Sequence, residues 1–432
     1  MSAIFVLTLV AFFGLALIGL PVAYAMFVAS IFYLFATGRD LGLFGEQILN
    51  GLYDSFVLLA VPLFILAANL MNASGVSDRL FMFCQALVGR WRGGLAQVDI
   101  LVSIIFSGMS GSAIADAAGP GKLVVQMMIK QGRIPPGFAA AVACSSATIG
   151  PIIPPSIPMV IYAVVADTSV GYLFLGGIVP GLIMGLAQMG LVGFSARRRG
   201  FPRGEGVPLR ELPKISVRAV PALMMPVILL YGIYGGATTP TEAAAIAAAY
   251  ALALAVLLYR ELTPRQGLEV LVESAKATSV VALLIGGALI FNYIVASERL
   301  PEQIGAMMAG VELSPLAFML LINLLFLLLG CLFDATTLLL VVVPLFLPAA
   351  KALGIDLVYF GVIVTVNIMV GLITPPYGVL LFVMNGLTKI PLRDIIAEIW
   401  PFIGILVGTI LLLILVPDLI LWLPKYFGYQ PA

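Results

Sequence analysis

The sequence predicts an all-α polytopic membrane protein of about ten to twelve transmembrane helices, in two inverted-topology repeats that each hold a re-entrant helical hairpin and a broken helix. Three observations predict this: the composition, several apolar runs too long for one helix, and a pattern that returns 221 residues later, as from Lys130 to Lys351. Of 432 residues, 62% are apolar and 10% charged; a soluble domain has about 45–50% and about 25%. Such a chain cannot cover a globular surface with polar groups, so its solvent is the lipid bilayer.

The first run, residues 3–37, would be about 52 Å long as one helix, against a hydrocarbon core of about 30 Å. Gly19-Leu20-Pro21 divides it into two short helices, and with the run at 51–74 these make scaffold helices over 1–74. The stretch Met1 to Thr37 is too long and too apolar for a cleavable signal peptide, and is expected to stay in the membrane. Residues 79–90 either cross the membrane or lie on its surface. Residues 94–130 are flanked by Arg90 and Arg92 at one end and by Lys130 and Arg133 at the other, so both ends lie on one face. The segment is therefore a hairpin, with arms of roughly 21–27 Å that fall short of a crossing. Its tip is Ser107-Gly108-Met109-Ser110-Gly111-Ser112. A broken helix over 137–165 and a run at 170–196 complete the first repeat, 1–196.

The linker 197–218 carries Arg197, Arg198, Arg199, Arg203, Arg210, Lys214 and Arg218 against Glu205 and Glu211, which makes it a basic cytoplasmic loop. Loops 166–169 and 236–240 lack Lys and Arg and fall outside; 260–276, with Arg260, Arg265 and Lys276, falls inside. Loop 298–314 holds Glu298, Glu302 and Glu312 against Arg299 and falls outside. The second repeat, 219–432, then has scaffold helices over 219–297, a hairpin at 315–350, a broken helix at 357–387 and a terminal helix at 396–424. The second hairpin, with its tip at Gly330-Cys331-Leu332-Phe333-Asp334-Ala335, enters from the opposite face. Lys130, Ile134, Phe138, Gly150, Pro154 and Pro155 are matched 221 residues on by Lys351, Ile355, Tyr359, Gly371, Pro375 and Pro376. Inverted repeats with broken helices mark a secondary transporter.

Several chemistries are excluded. The chain has no histidine, which removes His-based triads and imidazole metal sites. Cys84, Cys144 and Cys331 are far apart and read as apolar packing residues. No Walker A sequence is present, so transport would not be driven by the chain's own ATPase. A net charge of +1 gives no reason to expect nucleic acid.

The chemistry belongs to the unwound stretches. In Gly150-Pro151-Ile152-Ile153-Pro154-Pro155-Ser156 and Gly371-Leu372-Ile373-Thr374-Pro375-Pro376-Tyr377, paired prolines break the helix inside an apolar run. Irregular backbone at that depth survives only where protein buries it or where it lines a cavity. Freed carbonyls suit a small cation, and the restarting half-helix points its positive end at an anion. The hairpin tips add hydroxyls. From tips and breaks together, the candidate substrate contacts are Ser110, Ser112, Ser156, Asp334, Thr336 and Thr337. Any one hydroxyl alone reads more often as helix packing or a bond back to a carbonyl; the cluster is what points to a ligand. Asp334 either caps the next half-helix or draws in a cation; Asp116 either faces a cation or pairs with Lys122. Thr239-Pro240-Thr241-Glu242 fits a capping box, and Gly181 and Gly185 have a helix-packing spacing.

With these motifs the sequence resembles the large membrane subunit of tripartite ATP-independent periplasmic (TRAP) transporters, through nearly its whole length. The most specific pieces are Phe106-Ser107-Gly108-Met109-Ser110-Gly111-Ser112-Ala113, the two proline stretches above, and Pro240-Thr241-Glu242-Ala243-Ala244. The resemblance implies an elevator-type carrier of the bacterial inner membrane that imports an organic acid, sialic acid-like or C4-dicarboxylate-like, by sodium symport. It implies a periplasmic substrate-binding protein and a small four-helix membrane subunit as partners. No four-helix extension is fused to this chain, so the small subunit is expected as a separate chain. Sodium ions are the coupling ions and no other cofactor is implied. Carried over by position, one sodium site uses backbone around Gly150, Ile153 and Pro155 with Ser107 and Gly108 at the tip. The other uses Gly330, Gly371, Thr374 and Tyr377, beside a tip that departs from the serine-rich pattern. Two other readings stand beside this one: an autonomous sodium- or proton-coupled anion carrier, and a membrane enzyme or non-transporting subunit. The last is poorly served by a chain without histidine or clustered intramembrane acids.

Asp334→Asn separates the two roles of that residue, because asparagine still caps. A cation role predicts weaker sodium activation of uptake in the variant; unchanged sodium affinity leaves capping alone.

Overall fold

The computed structural model describes residues 2–132, 134–201, 203–204, 207–208, 210–300, 302–303 and 313–430. The charges at Arg133, Glu205 and Glu312 lie outside the described residues. The described chain is helical throughout, and its one isolated backbone bridge joins Arg92 to Arg203. Among the described residues, seven helices are long and apolar enough to cross a membrane by length and composition. The remaining apolar helices are shorter and come mostly in pairs around a break, which is why the expected ten to twelve crossings are not ten to twelve long helices.

The first apolar run splits where its glycine and proline require. Helix α1 (Ala3–Leu17) ends before Gly19, whose φ is +95°, and α2 (Val22–Ala36) begins after Pro21. The next run is also divided: α3 (Gly42–Asp54) stops at Ser55, a 3₁₀ turn intervenes, and α4 (Ala60–Ala73) resumes. Residues 79–90 lie largely in α5 (Val76–Val88), which at about 20 Å is too short to cross alone. The hairpin arms are α6 (Gly94–Ser110) and, after a short α7 (Ala113–Asp116) and a π turn, α8 (Lys122–Gln131). The broken helix is α9 (Pro136–Ala147) and α10 (Ile157–Ala166), succeeded by the long α11 (Val170–Arg198).

The second half opens with α12 (Leu212–Tyr234) and α13 (Pro240–Ala253), the latter under the expected Thr239–Glu242 capping box. Further boundaries differ from those the sequence predicts: residues 212–218 of the basic linker are not loop but the first turns of α12, so Lys214 and Arg218 stand on a helix. Residues 264–276 are not loop: α14 runs unbroken from Pro264 to Ser297, started by a second capping box of Thr263 and Gln266. The terminal helix 396–424 is two helices, α20 (Leu392–Leu415) and α21 (Asp418–Tyr426), because Pro417 cannot continue the first. Between α14 and α20 come α15 (Pro315–Gly330), the short α16 (Ala335–Thr337), α17 (Val343–Ala352), α18 (Leu357–Gly371) and α19 (Val379–Thr388).

The 221-residue spacing extends to the element boundaries. The helix starts Gly94 and Pro315, the π turns beginning at Ala117 and Leu338, and the starts Pro136 and Leu357 all keep it, as do the cis bonds Pro154–Pro155 and Pro375–Pro376. Helices α9 and α18 are buried on every side and form the centre of the core. Each is fastened to its hairpin by a buried polar pair. Ser146 on α9 donates to Asp99 on α6 at 2.8 Å, and Asn367 on α18 donates to the Asn323 side chain on α15 at 2.7 Å. Ser146 and Asn367 are themselves 221 residues apart.

The Asn323–Asn367 pair is testable by a double-mutant cycle with leucine. A coupling of about 0.6–1.7 kcal/mol is expected in thermal melts of the purified chain; additive losses would show that the pair does not join hairpin and core.

Candidate functional site

The first tip takes its shape from the residues just past the end of α6. Gly111 ends the helix at φ +60°, and a Cβ there would lie 2.5 Å from the Pro155 carbonyl oxygen. Only glycine lets the backbones approach so closely. The Gly111 carbonyl accepts from the Ile157 N–H at 3.4 Å, and a Cβ on Gly150 would sit 3.3 Å from the Ser112 carbonyl. The tip therefore rests on the unwound segment between α9 and α10. Ser112 caps α7 by accepting from the Ala115 N–H at 3.3 Å. Ser156 caps α10 by accepting from the Met159 N–H at 3.2 Å, and donates to the Pro151 carbonyl. Ser107 is buried and donates back to the Ile104 carbonyl at 2.6 Å.

From the other side, α11 closes on the same segment with small residues. A Cβ on Gly177 would fall 2.2 Å from the Ile152 carbonyl oxygen, and Gly181 faces the Ile153 side chain. The Gly181–Gly185 spacing is thus a packing surface, as expected, and Ile153 is held by it.

The second tip meets its break backbone to backbone. A Cβ on Gly371 would lie 2.7 Å from Gly330 Cα and 3.0 Å from its carbonyl oxygen. Asp334 is a cap: it accepts from the Thr337 N–H at 3.1 Å and from the Thr337 hydroxyl. Thr374 donates from Oγ1 to the Val370 carbonyl at 2.8 Å, its own carbonyl accepts from the Gly378 N–H at 3.1 Å, and the Tyr377 side chain is exposed.

Both tips and both breaks open onto one cavity of about 810 Å³. Ser110, Ser112, Asp334 and Thr336 line it; Ser156 and Thr337 do not, Ser156 being bonded to Pro151 and Met159 and Thr337 donating to the Asp334 cap. Opposite the tips the wall is made by α4 and α14, which supply Asn69, Asn72 and Glu273. No sequence signal marks these three, for they meet the tips only through the fold. Among the described residues no lysine or arginine lines the cavity, and no group of three acidic or thiol side chains could hold a metal ion.

Asp116 is fully buried and makes no ion pair with Lys122; among the described residues neither of its carboxylate oxygens has a partner in good hydrogen-bond geometry. Asp99, buried beside Ser146, leaves Oδ1 equally unpaired. Asp99 is absent from the residues singled out by sequence, although an acid within an apolar hairpin arm is itself a signal.

The chain matches the family model described as "Tripartite ATP-independent periplasmic transporter, DctM component" over residues 9–419. It is 40% identical to the sialic acid TRAP transporter large permease protein SiaM of Vibrio cholerae, covering 96% of this chain and 97% of that one. It is 38% identical to the C4-dicarboxylate TRAP transporter large permease protein DctM of Pseudomonas aeruginosa, over 87% and 88% of the two chains. It is 37% identical to the 2,3-diketo-L-gulonate TRAP transporter large permease protein YiaN of Escherichia coli, over 94% and 95%. Two solved structures share the fold. The Alcanivorax borkumensis YdaH transporter aligns with a TM-score of 0.57 at 15% identity, over 89% of this chain and 90% of that one. Neisseria gonorrhoeae MtrF aligns with a TM-score of 0.60 at 13% identity, over 84% and 80%.

Gly111→Ala combines left-handed backbone with a clash against Pro155, whereas Gly132 has φ +65° and nothing within 4 Å. Gly132→Ala should cost about 1 kcal/mol and Gly111→Ala about 1–3 kcal/mol more. Equal losses in detergent melting would place the tip away from the break.

Proposed function

The chain belongs to the family of tripartite ATP-independent periplasmic transporter DctM components, and from that premise we propose that it imports an organic acid by sodium symport. As a multi-pass membrane permease subunit it would work with a small four-helix membrane subunit and with a periplasmic binding protein that delivers the acid. The cargo is a carboxylate of the sialic acid or C4-dicarboxylate class, which two of the relatives are named for.

The observation that carries this reading is the shared cavity. Its tip side offers capped half-helix starts at Ser112 and Asp334, with N–H groups and hydroxyls suited to a carboxylate. Behind each tip lies broken backbone, at Gly150–Pro155 and at Gly371–Thr374, whose carbonyls suit sodium. A cation in either place draws the tip onto its break. The acid-binding face is thereby shaped, which couples the two bindings. No fixed cation is needed in the cavity, because sodium supplies the charge.

Movement is proposed along the boundary that the cavity straddles. Helices α13 and α14 both pack on α4 on one side, and α6, α9, α18 and α20 belong to the core on the other. In an elevator cycle the hairpins and broken helices slide as one body against that frame. The two hairpins enter it from opposite faces.

The test is uptake into proteoliposomes holding this chain and the small subunit, with binding protein loaded with N-acetylneuraminate or succinate outside. Accumulation is expected under an inward sodium gradient and not under a potassium one. Uptake without binding protein would move the chain to an autonomous carrier, and sodium-independent uptake would overturn symport. Thr374→Ala should weaken sodium activation about tenfold, equivalent to roughly 1.4 kcal/mol, with expression largely kept; equal loss of both would make Thr374 structural.

A further inference from the structure

A second concave site lies away from the transport cavity, where α5, the start of α6 and the end of α11 come together. It is a groove of about 920 Å³. Arg90, Arg92, Arg197 and Arg203 stand around its mouth, and among the described residues no acid lines it. Nor does any of the four take part in an ion pair among the described residues, although the neighbouring Arg199 pairs with Glu398 at 2.8 Å. The crowding is built in. The backbones of Arg92 and Arg203 bridge each other, and the Arg90 guanidinium is fixed by donating to the Val207 carbonyl at 2.9 Å. All four arginines are exposed, so together they make a positive rim that attracts an anion.

Below the arginines the groove turns apolar and runs between two membrane helices. Phe194 and Leu186 on α11 are 62% and 66% exposed into it or beside it, and Trp91 flanks the mouth. Gly190 leaves a trough, since a Cβ there would meet nothing within 4 Å. An independent observation comes from Gln97, which is 2% exposed and lines the groove. Its Nε2 donates to the Met189 carbonyl at 2.9 Å, but its Oε1 is buried with no partner among the described residues. A buried carbonyl without a donor is costly.

We propose that this groove binds one anionic glycerophospholipid. The phosphate lies among the arginines, a headgroup hydroxyl donates to Gln97 Oε1, and an acyl chain tracks the trough past Gly190 and Phe194. Charge and shape argue together for a lipid: a free oxyanion would use the arginines but leave the trough empty, and a neutral or zwitterionic lipid would leave the guanidinium charge unmatched. The site does not depend on what the chain transports. It places an anionic lipid at the basic end of the first hairpin and of α11.

The test uses the full chain, delipidated in detergent and titrated with dioleoyl phosphatidylglycerol, dioleoyl phosphatidylethanolamine or inorganic phosphate, with retained adducts read by native mass spectrometry. Phosphatidylglycerol should be retained over phosphatidylethanolamine, and replacing Arg92, Arg197 and Arg203 by glutamine should lower that retention about a hundredfold. Gly190→Leu, which fills the trough and touches no charge, should also lower it; this variant stands alone if the triple variant does not fold. Equal retention of the two lipids, or retention unchanged by Gly190→Leu, would overturn the proposal. Full displacement of the lipid by millimolar phosphate would assign the arginines to a free oxyanion and overturn it too.

Discussion

A peptide group exposed to hydrocarbon has no solvent to bond, and this constraint shapes the whole chain. Two helices are opened by paired prolines deep in apolar sequence, so each break must be covered by protein. The first is covered from one side by Gly111 at the hairpin tip and from the other by Gly177 on α11. The second is covered by Gly330, whose backbone meets that of Gly371 directly. Hairpins that stop short of a crossing exist to bring such small residues to these two places. The buried helices α9 and α18 hold them there through Ser146–Asp99 and Asn367–Asn323.

The cover is incomplete, and function is read from the part left open. Where the tips end, capped half-helices face a cavity with hydroxyls, amides and no basic side chain among the described residues. A carboxylate held by such dipoles alone is bound weakly unless a cation is near. Under the sodium-symport reading, that dependence is what makes the acid and the ion travel together. The opposite wall, with Asn69, Asn72 and Glu273, belongs to helices that pack in the frame. Contacts across that wall would then change as the core moves, whereas contacts within tips and breaks would not.

Much of the fold is legible in the sequence because it rests on local chemistry. Proline pairs, the break at Gly19–Pro21, the capping box at Thr239 and the 221-residue spacing are all short-range signals. The departures are local too. The arginines and lysine of 260–276 suggest a loop, but the Thr263–Gln266 capping box starts α14 there and carries it outward beyond the apolar segment. Pro417 sits inside an apolar run that reads as one helix, although it ends α20. Juxtaposition is the part that a linear pattern does not carry. Asn69 and Glu273 become cavity residues only when α4 and α14 pack beside the tips. Ser156 and Thr337 look like ligands by position; instead Ser156 caps α10 and the Thr337 hydroxyl donates to Asp334.

The central claim is that broken backbone under each tip holds sodium. A cryo-EM map of the chain in lipid nanodiscs, recorded in sodium and again in potassium, addresses it directly. Two compact densities should appear in sodium alone, one among Gly150, Ile153 and Pro155 beneath the first tip and one among Gly330, Gly371 and Thr374 beneath the second. Identical maps in the two buffers, with both breaks closed on themselves, would contradict it.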